Sequence, residues 1–259
     1  GAALGKILEV SGAAEKISAV LINGFGQKNI QWAVLLTGFL IGIPLYYNAG
    51  FVILVPLVFS IARKAGLPLL YIAIPMAASL STTHCFLPPH PGPVFLVNSF
   101  KADMGMTLLY GMAIAVPVVI IAGPFLGRVL QKIKTTTNEF FVQPKEEGRE
   151  LPAAFPSFFI ALLPVLLIAL AVVAENLFTG DTLVKKILLF TGDPVIALLL
   201  AVLAAVAWFG LAAGRSMETT MKWVHDAIAG IAVILLIITA GGVFKQVLTD
   251  SGTGTYIAS

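Results

Sequence analysis

Two histidines, a cluster of small hydroxyl residues and four prolines fall within residues 79–93, Ser-Leu-Ser-Thr-Thr-His-Cys-Phe-Leu-Pro-Pro-His-Pro-Gly-Pro. Histidine titrates near neutrality, so His84 and His90 can carry a coupling proton or hold a carboxylate. Ser81, Thr82 and Thr83 can hydrogen-bond a hydroxylated ligand. The same residues also fit a quieter role. A neutral histidine satisfied by backbone carbonyls holds a loop, and small hydroxyls let helices approach closely. No carboxylate lies nearby and Cys85 is the only neighbouring sulfur, so no metal is expected. Cys85 reads as a packing residue.

These residues sit at membrane depth. The chain has 259 residues, 58% of them hydrophobic and 11% charged, with a mean hydropathy of +0.97. Soluble domains carry about 25% charged residues. The apolar blocks run to roughly 20 residues, long enough to span, and lack the alternation of a membrane barrel. The expected class is an all-α integral membrane protein. Its net charge of +3 reflects basic loops and gives no reason to expect a nucleic-acid partner. One cysteine excludes an internal disulfide. No cofactor is expected, and Gly-x-Ser-x-Gly, HExxH, P-loop and dinucleotide signatures are missing.

Proline chemistry then dictates the local architecture. Pro88, Pro89, Pro91 and Pro93 lack amide donors and push the preceding residues out of the helical region. A helix starting at residue 68 is expected to stop near residue 80 and resume at 94. Irregular backbone in a bilayer survives only where protein buries it or where it lines a wet cavity. Upstream, residues 30–47 and 49–62 are two apolar arms around the tip Pro-Leu-Tyr-Tyr-Asn-Ala-Gly of residues 44–50. The second arm is too short to span before Arg63 and Lys64, which predicts a re-entrant hairpin. Asn48 and Gly50 then offer an amide and bare backbone at its tip. Together with residues 81–93 they form the predicted midplane site: Asn48, Gly50, Ser81, Thr82, Thr83, His84, His90 and Gly92.

Elsewhere the expectations are plainer. Residues 104–130 form a span kinked by Pro117 and Pro124, 131–152 a solvated cytoplasmic loop, and 155–174 and 194–213 two spans. Residues 226–244 form the last full span. Asp103 caps the helix that follows it, and Trp32, Trp208 and Trp223 fit interfacial belts. With a hairpin returning to its own side, ten basic residues fall on one face and three (Lys101, Lys185, Lys186) on the other, which makes the first face cytoplasmic.

A faint repeat relates residues 1–12, GAALGKILEVSG, to residues 241–252, GGVFKQVLTDSG. The topology inverts the copies, as in many secondary transporters. The expected organisation is 1–22 as the end of a first scaffold segment and 23–103 as the hairpin and broken helix. A helix at 104–130 and the loop at 131–152 follow. Scaffold helices of the second repeat occupy 153–240, and its transport region begins at 241–259. A chain that opens and closes inside elements is expected to be part of a longer transporter.

Several stretches together resemble the gluconate permease family of proton symporters: THCFLPPHPGP (83–93), ADMGMTLLYG (102–111), QWAVLLTG (31–38), GFVILVPLVF (50–59), GDP (192–194) and FKQVLTDSG (244–252). The likeness runs along essentially the whole chain. It implies an inverted-repeat secondary transporter, commonly a homodimer in the cell (inner) membrane, with elevator-type alternating access. The implied partners are protons and a gluconate-like small organic acid, with D-serine or another small organic anion as the neighbouring option. Many family members carry an acidic residue where this chain has Asn48, which shifts the proton-carrying role to His84, His90 or a residue of the transporter outside this chain. A passive channel or a membrane-embedded enzyme is the rival from a different class.

Overall fold

The computed structural model describes residues 1–45, 47–133, 150–178, 180, 182–230, 232–253 and 256, without the side chains of 48, 49, 52, 53, 56, 64, 176, 234, 235 and 238. Among these residues every regular element is helical. Residues 134–149 of the expected loop at 131–152 lie outside them.

Helices α1 (Ala2–Ser11) and α2 (Ala13–Phe25) meet at Gly12, whose φ of 83° suits a residue without Cβ. This stretch is central: Leu4, Ile7, Leu8 and Ile17 are fully buried, and α1 packs on the helices at Pro194–Ala205 and Met217–Gly230. The matched segment at the other end closes in the same way. Gly252 has φ 68°, and its N–H donates to the Thr249 carbonyl as that of Gly12 donates to Glu9. Ser11 and Ser251 likewise bond the carbonyls three residues back.

Helices α3 (Ile30–Gly42) and α4 (Tyr47–Ala65) form a hairpin, and α5 (Leu69–Phe86) follows. With 13 residues, α3 rises only about 20 Å. Its tightest partner is α5. A Cβ on Gly38 would fall on the Ser79 hydroxyl, and one on Gly42 on that of Thr83. Low residues of α3 thus meet low residues of α5, and high meet high, so the two helices run parallel. Between them α4 returns antiparallel, with Gly50 against Leu80.

The interruption after α5 is shorter than expected. Helix persists through Phe86 and resumes as α6 (Pro91–Phe100), leaving Leu87–His90 as the break, with a cis Pro88–Pro89 bond. Pro91 and Pro93 do not interrupt anything. They occupy the first turn of α6, where amides have no partner inside the helix and a missing N–H costs little.

Helix α7 (Met104–Ile120) is capped by Asp103, whose carboxylate accepts from the Met106 amide at 2.6 Å. The kink expected from Pro124 is a π turn, Ile121–Phe125, leading into α8 (Leu126–Leu130). There follow α9 (Ala154–Leu177), α10 (Leu183–Thr191) and α11 (Pro194–Ala205), which ends in a second π turn, Val206–Leu211. Over the expected span at 226–244 the described residues are helical, in α12 (Met217–Gly230) and α13 (Ala232–Asp250). Trp223 is not on a lipid belt: it is buried under the Arg215 guanidinium, 5.0 Å from its ring centre.

Four segments of the described residues are long and apolar enough to cross a membrane: Leu69–Phe100, Met104–Leu130, Ala154–Glu175 and Pro194–Leu211. The protein is an α-helical membrane protein. One core joins α1, α2, α3, α4, α5, α9, α11 and α12. A second packs Leu35, Phe39 and Ile43 of the hairpin against Leu87, Leu108 and Ile168.

Candidate functional site

The hairpin tip and the helix break meet. Where α3 ends, its last carbonyls have no partner within the helix. One of them, on Gly42, is 2.8 Å from Nε2 of His90, 48 residues away in sequence. A carbonyl can only accept, so Nε2 carries the proton in this contact. His90 is 4% exposed and stands at the N-terminal boundary of α6. Its ring meets that of His84 edge-on, with centres 4.7 Å apart and planes at 63°. Leu45 of the tip is also fully buried, and Gly5 of α1 lies close against Leu45 and the Pro44 carbonyl. The junction therefore has a helix roof, a hairpin tip and a helix break, all in contact.

The sequence-predicted residues distribute over this junction unevenly. Ser81 and Cys85 are exposed and His84 is half-buried, so one face of the last turns of α5 is open. Thr83 is fully buried, and its hydroxyl donates to the Ser79 and Leu80 carbonyls at 3.0 Å each. Thr82 is 5% exposed. Gly50 lies in the first turn of α4, against the Leu80 side chain. Asn48 is in the same turn, and its side chain lies outside the described residues. Gly92 is exposed, with open space where a Cβ would stand. Among the described residues no cluster of three His, Cys, Asp or Glu side chains can hold a metal.

Helix α5 reaches this junction along one face that carries Tyr71, Pro75, Ser79 and Thr83, four residues apart. Ser79 donates to the Pro75 and Met76 carbonyls at 2.9 Å. The Tyr71 carbonyl receives Nε2 of Gln31, the second residue of α3, at 2.8 Å. Gln31 is 2% exposed. Sequence reasoning gave no role to Gln31, Gly38 or Gly42. Their spacing down one side of α3 was the available signal, but the residues they meet are some 40 positions away.

A profile described as GntP family permease matches residues 1–259, the whole chain. Over the whole chain, a high-affinity gluconate transporter of Escherichia coli (strain K12) is 49% identical. A Gnt-II system L-idonate transporter of the same organism is 44% identical. A gluconate permease of Bacillus subtilis (strain 168) is 39% identical, again over the whole chain. The chain spans 59%, 59% and 60% of these three relatives, respectively. No solved structure matches it.

Proposed function

This chain belongs to the GntP permease family, and on that premise we propose that it is the core of a secondary active transporter. It imports gluconate or a related small hydroxy acid, L-idonate included, by symport with protons. The observation that carries this reading is the His90–Gly42 junction, 2.8 Å long, which ties a hairpin tip to a helix break beside an open polar face. Discontinuous helices of this kind present unwound backbone and half-helix ends to ions and anions.

In this reading Ser81 and His84 face the substrate, one bonding a hydroxyl and the other its carboxylate or the coupling proton. His90 holds the tip against the break. Gly92 brings the Gly92 amide, the first free donor of α6, near an anion. Asn48 and Gly50 flank the pocket from the hairpin, and Thr82 and Thr83 form its packed wall. With no carboxylate at position 48, the proton passes through the histidine pair. The hairpin and α5 move together against α1, α2 and the later helices, which is elevator-type alternating access. Matching ends of α1 and α13 support an inverted repeat, and the whole transporter is a homodimer of the cell inner membrane.

The test is uptake by proteoliposomes of the full-length permease under an imposed pH gradient, with L-idonate, fructuronate and D-serine as competitors. The expected result is gluconate accumulation that collapses when the gradient is removed. Flux indifferent to the gradient would make the protein a channel, and chemical conversion of the substrate would make it an enzyme.

A further inference from the structure

Pro75 sits inside α5. Lacking an amide proton, it leaves the carbonyl four residues earlier without its helical donor. That carbonyl belongs to Tyr71, and it is the one that Gln31 Nε2 reaches at 2.8 Å. The missing backbone donor is thus replaced by a side-chain donor from another helix. The orientation of the amide follows from its partner, since Oε1 facing a carbonyl would repel it. Oε1 itself is buried and finds no hydrogen-bond partner among the described residues. A side chain that buries an unsatisfied acceptor in order to deliver one donor is placed for that donor.

The neighbourhood is shaped around this contact. Gly127 of α8 lies against Gln31 Nε2, the Tyr71 carbonyl and the Pro75 ring, and Gly123 of the π turn lies against Pro75. A proline-containing helix bends where its ladder is interrupted. What fills the gap sets the bend, and everything beyond it on α5 follows, including Ser81 and His84.

We propose that Gln31 is a positioning residue: it substitutes for the donor that Pro75 removes and so sets the angle at which α5 carries Ser81 and His84 to the substrate. The proposal rests on the transport reading of that site.

Full-length permease in proteoliposomes tests it through a double-mutant cycle. Gln31→Leu, which removes the donor, raises the gluconate KM about tenfold, while Vmax per inserted molecule changes little. Pro75→Ala restores an amide at position 75 that can donate to Tyr71. Gln31→Leu placed on Pro75→Ala therefore raises KM less than about twofold over Pro75→Ala alone, close to the resolution of such cycles. Equal cost of Gln31→Leu in both backgrounds overturns the proposal, as does a variant that lowers only thermal stability and leaves KM unchanged. The same cycle read by thermal unfolding in detergent keeps the two readings apart. If the wild type does not take up gluconate, the transport reading fails. A non-additive unfolding cycle would still support the donor replacement, and an additive one would overturn it.

Discussion

Two breaks between helices, Gly192–Asp193 with a proline just after it and Leu87–His90 with prolines inside it, are satisfied in opposite ways. At Gly192–Asp193, between α10 and α11, the groups exposed by the break are met locally. The Asp193 carboxylate accepts from the Val195 and Ile196 amides at 2.9 and 3.2 Å, and Pro194 follows at the first helical position. At Leu87–His90 the break instead reaches across the fold, through His90, to the end of α3. The first is a joint complete in itself, half a turn of chain capped by its own side chain. The second couples elements that are far apart in sequence, and it leaves Ser81 and His84 beside it on an open face. A break closed by its own residues is architecture, whereas one closed from elsewhere can report and transmit movement.

The comparison breaks most sharply at His90. His90→Ala leaves the Gly42 carbonyl buried without its donor and frees the tip, so proton-driven gluconate uptake falls about 100-fold while membrane insertion persists. Wild-type uptake by an inserted His90→Ala protein would put the two breaks in one class. Next comes Gly42→Ala, which sets a methyl on the Thr83 hydroxyl. Uptake drops about tenfold through overpacking, and adding Thr83→Ala recovers most of it; no recovery would mean that Gly42 acts by something other than space. The smallest effect belongs to the local break. Asp193→Ala costs about 1 kcal/mol of stability as a lost helix cap, seen as a lower unfolding midpoint, with uptake rates close to wild type. A transport defect as large as that of His90→Ala would erase the distinction.

How much of this was visible in the residues themselves differs along the chain. The membrane class, the Asp103 cap and the presence of a break all follow from local chemistry, namely apolar length, a carboxylate before a helix, and adjacent prolines. The extent of the break did not follow. Four prolines look alike in a sequence, yet Pro88 and Pro89 interrupt a helix while Pro91 and Pro93 start one. The central burial of α1 and α2 was hidden because a half-polar pattern describes a helix face and not the partner that covers it. For the site, the types and the neighbourhood of Ser81, His84 and His90 were readable. The bond from His90 to Gly42 and the role of Gln31 were not, since each depends on a residue 40 or more positions away.

That separation also orders events during synthesis. Gln31 is already made when Tyr71 emerges from the ribosome, so the lower part of α3 has its partner as soon as α5 appears. Gly42 has to wait for His90. Until then the hairpin holds an open carbonyl end at the depth of its own tip, in surroundings that supply few donors. The nascent hairpin is therefore expected to linger at the membrane surface or within the insertion machinery, and to settle only once the histidine arrives.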